Sequence, residues 1–192
     1  MNRARLVLAV SILALAGCVL NVAVSPNPSV KIERAYDVSA ALLITKTEEN
    51  LVAGTSRAKF QVGKALVAGS RKTFGRMFSS VARVRTVNEF SPDSQALVIM
   101  PYFGRLNYNA WNEGVSVTIG CRICDSAGKT IYEGTATATG DPGEMNYTGF
   151  DRGRMMNEIA SDAFNRVFCS LADDILAKAD FSSYVKKQPT GQ

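Results

Sequence analysis

The stretch from Ser116 to Gly140, SVTIGCRICDSAGKTIYEGTATATG, carries the clearest structural signal in the chain. Its first half continues an alternation in which Val115, Val117, Ile119, Cys121 and Ile123 fall on one face of an extended strand and Cys124 on the other. Asp125-Ser126-Ala127-Gly128-Lys129 reads as a turn with glycine placed for a positive φ, so residues 114–124 and 130–139 predict a β-hairpin. In the second arm Gly134, Ala136 and Ala138 share one face, and Glu133, Thr135, Thr137 and Thr139 the other. A face of such small residues suits close approach by a helix.

That helix is predicted over Arg154 to Lys178, where Ala160, Ala163, Phe164, Val167, Phe168, Leu171 and Ile175 lie on one side. A second apolar stripe, Val62, Leu66, Phe74, Met77, Phe78 and Val81, predicts a helix over residues 58–82, weakened by Gly63, Gly69 and Gly75. Ile32 to Lys46 reads as a strand ending in Ala40-Ala41-Leu42-Leu43-Ile44, followed by a polar loop. Val84–Val87 is a short strand, Ala96–Met100 a firmer one before Pro101, and Tyr102–Asn112 an aromatic and polar connection. This order predicts an α+β fold: a mainly antiparallel sheet of about four strands with two helices packed on one face.

The amino terminus reads as an address. Arg3 and Arg5 precede LVLAVSILALAGCVL, residues 6–20, and the run shrinks to Ala16-Gly17-Cys18, the order of a secretory signal. It meets polar Asn21 too early for a spanning helix of roughly 20 apolar residues. Leu15-Ala16-Gly17-Cys18 resembles the lipobox of bacterial lipoproteins. The resemblance implies that diacylglycerol joins the Cys18 sulfur, that residues 1–17 are removed as signal peptide, and that the new amino group is acylated. Several acyl chains, at about 0.8 kcal/mol per buried methylene, make a stable anchor. Val19 follows the cysteine where an aspartate commonly retains family members at the inner membrane, which favours the outer membrane. Residues 18–31, with Ser25-Pro26-Asn27-Pro28-Ser29, read as lipidated terminus and spacer, residues 32–182 as one periplasmic domain, and residues 183–192 as a flexible tail.

The chain has no histidine, which excludes histidine-based acid–base and nucleophilic machinery and His-rich metal sites. It also lacks a phosphate-binding Gly-rich loop and a dinucleotide fingerprint, so no cofactor is expected. Cys121 and Cys124, three apart in a strand, are about 10 Å apart and too far for a disulfide. A redox pair belongs at a helix start and structural zinc wants a second cysteine pair, so no metal site is expected. By helix phase Cys169 falls on the polar side of its helix, exposed and away from Cys121.

Charge is unevenly spread. Between Arg57 and Arg85 lie eight basic residues, Arg57, Lys59, Lys64, Arg71, Lys72, Arg76, Arg83 and Arg85, and no acidic one. The carboxy-terminal helix region carries Asp162, Asp173 and Asp174 among its acids, so the two helices either attract each other or leave a basic face for an anionic partner. Lys64, Arg71, Lys72 and Arg76 are the candidates for such docking. Tyr102, Phe103, Tyr108 and Trp111 either form an exposed contact patch or plug the end of the sandwich. Nucleic acid is a poor partner, because aromatics are not interleaved with the basic residues.

From lipobox, spacer, strand and helix, hairpin and acidic helix together, the chain resembles YajG-type and LptE-type envelope lipoproteins and the amino-terminal domain of TolB. The resemblance implies an architecture and a compartment, without the Trp-His-Leu-type segment of LptE proteins. The expectation is an outer-membrane-anchored periplasmic lipoprotein. It would act as a non-enzymatic subunit or adaptor of an envelope assembly or transport system, binding the membrane through its anchor and an envelope protein or anionic polymer. The alternative is a carrier of a lipidic or apolar ligand between sheet and helices, which needs a cavity of several hundred Å³.

Overall fold

The computed structural model of the chain describes residues 19–32, 35–109, 114–141 and 152–185. The elements are β1 (Leu20–Val22), β2 (Tyr36–Leu43), α1 (Lys46–Glu49), β3 (Ala53–Gly54), β4 (Ala58–Phe60), α2 (Val62–Met77), β5 (Phe78–Val84), β6 (Leu97–Asn109), β7 (Gly114–Asp125), β8 (Thr130–Thr139) and α3 (Arg152–Lys178). Short 3-10 turns occupy Val87–Glu89 and Ser182–Tyr184. The fold is α+β, and the two long helices lie on one face of the main sheet, α2 over β5, β2 and β6 and α3 over β7 and β8.

The hairpin forms where the alternation puts it. Val115, Val117, Ile119, Cys121 and Ile123 are fully buried under the helices, and Gly128 turns the chain at φ 85°. The small face of β8 receives α3, tied there by the Tyr132 hydroxyl, which donates to Asp174 at 2.7 Å. That bond and the Lys178 ammonium, the larger influence, hold the Asp174 carboxyl below the usual carboxylate range. Across the helices Gly69 of α2 meets Phe168 of α3 so closely that an added Cβ would fall 1.9 Å from the Phe168 ring.

Two features of the sheet differ from expectation. The main sheet has five strands in the order β5-β2-β6-β7-β8, and a second sheet of three has the order β1-β4-β3. Both are mixed rather than mainly antiparallel: β2 runs parallel to β5 and to β6, and β1 parallel to β4. The cause lies in the stripe read as one helix over 58–82. The helix occupies only 62–77, preceded by β4 and followed without a breaker by β5, where Phe78 has strand dihedrals of φ −123° and ψ 146°. A strand that returns through a helix to its neighbour is a crossover, which makes β2 and β5 parallel. Phe78 and Val81 carry the apolar spacing past Met77, so periodicity alone does not mark the change.

The aromatic connection is likewise part of a strand. β6 continues to Asn109 and pairs with β7 as far as Gly114, with a bulge between Phe103 and Arg105. The polar loop after β2 contains α1, closed by a capping box in which Thr45 Oγ1 accepts from the Glu48 amide and Glu48 accepts from the Thr45 amide. Beyond α3, Phe181 packs edge-on to Phe78 and Tyr36, and Tyr184 donates to Asp125 at 3.2 Å, so the domain's packed part reaches past residue 182.

Two substitutions test this packing by urea denaturation. Gly69→Ala has no room against Phe168 and should cost about 1–3 kcal/mol. Thr73 and Ser70 are fully buried with no hydrogen-bond partner among the described residues, so Thr73→Val should leave stability unchanged or raise it. A loss above about 1 kcal/mol in Thr73→Val would mean its hydroxyl is satisfied.

Candidate functional site

Extended chain with alternating burial is the signature of a strand, and residues 21–30 show it without interruption: Val22, Val24, Pro26, Pro28 and Val30 are buried and the residues between them exposed. Only Leu20–Val22 finds a ladder partner, in β4. Beyond it, prolines remove two donors, and side chains of both helices bond two of the remaining amides and two carbonyls. The Ser25 amide donates to Ser161 Oγ at 3.1 Å and the Asn27 amide to Asn165 Oδ1, both on α3. From α2, Lys72 Nζ donates to the Pro26 carbonyl and to Asn27 Oδ1, each at 3.1 Å, and Arg76 Nη1 to the Val30 carbonyl at 3.1 Å. The segment expected as a spacer, within residues 18–31, is therefore a strap bound across both helices from Leu20 onward. Cys18 lies outside the described residues.

This geometry redistributes the basic run. Lys72 and Arg76 hold the strap. Arg83 pairs with Glu49 at 2.7 Å and Arg85 lies 3.8 Å from the same carboxylate, and the Arg83 hydrogen bond, ahead of these charges, holds Glu49 below its usual range. Lys64 and Arg71 are exposed on α2, where Ala68, Arg71 and Lys72 line a surface depression of about 410 Å³. Attraction between oppositely charged helices is not what joins them. Asp162 pairs with Arg166 at 2.7 Å and Asp174 with Lys178 at 2.6 Å, both within α3, and no ion pair links α2 to α3 among the described residues.

The aromatic residues divide between faces. Tyr102 stands on the open face of the sheet over Gly120, 38% exposed. Phe103 and Tyr108 are half-buried against the core, Tyr108 with its ring 5.9 Å from Phe60 and its hydroxyl accepting from Arg152 at 3.2 Å. Phe103 sits mid-way along β6, opposite Ile119, and Tyr108 near its end, opposite Val115. Trp111 lies outside the described residues.

All three downstream cysteines are free. Cys121 and Cys124 are buried on opposite faces of β7, and burial pushes the Cys121 thiol well up. Cys169, expected to be exposed, is half-buried against the core, one helical turn beyond Asn165, which bonds the strap. No cluster of metal-ligating side chains occurs among the described residues. The space between sheet and helices is filled by Phe60, Phe74, Phe164 and Phe168, each fully buried. A depression of about 620 Å³ at Lys31, Tyr36 and Leu176 opens at the sheet end, and one of about 410 Å³ is lined by Asn21, Val52 and Lys59.

No family model matches the chain, and no curated protein is similar to it. Among solved structures it is similar to a Xanthomonas campestris protein of the DUF330 family, at 12% identity and a TM-score of 0.50, over 84% of this chain and 96% of that one. It shares that protein's fold. The PelC dodecamer from Paraburkholderia phytofirmans aligns at 14% identity and a TM-score of 0.45, over 75% of this chain and 94% of that one. A Caulobacter crescentus protein described as a candidate lipoprotein aligns at 14% and 0.30, over 60% and 84%. The latter two likenesses are too distant to inform the site.

Sequence reasoning missed Ser161 and Asn165, whose i, i+4 spacing beside the apolar stripe marks a polar seam, and it passed over the alternation of Val22, Val24, Pro26, Pro28 and Val30. The strap predicts a split within the basic set. Lys72→Ala and Arg76→Ala should each lower stability by about 1 kcal/mol in thermal unfolding, whereas Lys64→Ala and Arg71→Ala stay within about 0.5 kcal/mol. Equal effects of all four would mean the strap bonds contribute nothing.

Proposed function

We propose that the chain is an outer-membrane lipoprotein facing the periplasm, anchored through acyl chains on Cys18, and that it acts as a non-enzymatic subunit or adaptor of an envelope assembly or transport system. The observation that carries this reading is the lipobox Leu15-Ala16-Gly17-Cys18 placed directly before a folded domain. Among the described residues no helix is long and apolar enough to cross a membrane, and the DUF330-like fold is compatible with an envelope protein. Its work is binding, because the interior is occupied by its own side chains while broad polar surfaces remain. The carrier alternative is the less favoured: the middle of the layer where it would hold a ligand is filled by Phe74, Phe164 and Phe168, and the space of about 620 Å³ at Tyr36 and Leu176 is an open depression at the sheet end.

Cys18→Ser removes the thiol and keeps the size. Palmitate labelling should disappear from that variant and the precursor should remain uncut, while persisting label would place the anchor elsewhere. Crosslinking of the native lipidated protein should capture a stoichiometric envelope protein. Co-purification of a bound lipid from the domain itself would instead support the carrier.

A further inference from the structure

The strap has a geometric consequence for the anchor, which rests on the lipid-anchor reading above. Cys18 is one peptide unit, about 3.8 Å, from Val19. The next residue is already fixed, because the Leu20 amide donates to the Arg57 carbonyl at 3.0 Å. No free tether separates the lipid from the fold, so whatever surface surrounds Leu20 must meet the bilayer.

That surface is built by three elements. The β3–β4 hairpin turns at Thr55–Arg57 beside Leu20, with Lys59 paired across from Asn21. The start of α3 is there too, since Gly153 lies against the Leu20 side chain, flanked by exposed Arg152 and Arg154. Val19 is 41% exposed and Val52 53%, the latter lining one depression with Asn21 and Lys59. Arg154 is itself paired with Glu158 at 3.0 Å, and Arg152 donates to the Tyr108 hydroxyl at 3.2 Å. The opposite end of the molecule is the β7–β8 turn at Ser126. The 13 residues of β6 span the distance between the two ends, roughly 40 Å at 3.3 Å per residue.

We propose that this end, with Arg57, Lys59, Arg152 and Arg154 around exposed Val19 and Val52, is a membrane-docking face that lies on anionic phospholipid headgroups. The short anchor holds the cations at headgroup depth, where each Lys or Arg favours an anionic surface. The domain thus stands on the bilayer with both long helices leading away from it and the Ser126 turn pointing into the periplasm.

The test uses the full lipidated protein in vesicles of equimolar phosphatidylcholine and phosphatidylglycerol that carry a headgroup nitroxide lipid. A fluorophore is placed at Ser56→Cys or Ser126→Cys in a Cys169→Ser background, and mass spectrometry verifies the lipid on Cys18. The Ser56→Cys label should be strongly quenched and the Ser126→Cys label should not. Arg57→Glu with Lys59→Glu, or pure phosphatidylcholine, should lower quenching at position 56 by half or more while leaving it above the level at position 126, because the anchor keeps this end near the bilayer. Equal quenching at both positions, or quenching at 56 that ignores charge reversal and lipid charge, overturns the docking face while leaving the anchor intact. A mature chain without lipid on Cys18 overturns the anchor reading itself, and the docking face with it.

Discussion

The arrangement depends on how an extended, proline-containing segment satisfies its backbone without a sheet. Residues 23–30 have no ladder, and two prolines there donate no hydrogen bond, yet one side of the segment is buried. Buried backbone without partners would cost more than the apolar contacts return. Lys72 and Arg76 from one helix and Ser161 and Asn165 from the other supply the partners. The strap therefore sits only where both helices present those groups. It also gives two helices that make no ion pair with each other a shared polar layer above the Gly69–Phe168 contact.

The parts of the fold legible in the sequence are those in which one local rule acts alone. The β7–β8 hairpin has an uninterrupted period of two and a turn glycine, and α3 has a period near 3.6 over its whole length. Failures occur where two rules give the same pattern. At Phe78 and Val81 the i, i+3 spacing continues the helical stripe although both residues lie in β5, whose own burial pattern shows no clear alternation, and no glycine or proline falls at the Met77–Phe78 boundary. The parallel β2–β5 pair follows from that boundary, because a separate β5 turns a helix-bearing loop into a crossover, and β2 runs parallel to β6 as well. The two-residue β3 and three-residue β4 are too short to show any period.

The candidate site was legible in composition and not in placement. The basic run is real, but a linear count cannot tell cations that bond the chain's own carbonyls, Lys72 and Arg76, from the exposed Lys64 and Arg71. Nor can it tell that the start of α3, at Gly153, meets Leu20, whose amide bonds the Arg57 carbonyl. Composition groups the aromatic segment as one unit, but strand geometry sends Tyr102 to the open face and Phe103 to the core. The prolines at 26 and 28 argued for a linker, because proline is excluded from sheet ladders. They are equally at home in a strap whose partners are side chains.

Amide hydrogen exchange of the lipidated protein tests the central claim most directly, namely that the chain joins the fold at Leu20 with no spacer after Cys18. The amides of Leu20, Ser25 and Asn27 should be protected and should open together with those of α3, since each is bonded to Arg57, Ser161 or Asn165. Exchange of all three at the rate of an unstructured peptide, with α3 still protected, would show a free tether and contradict the account.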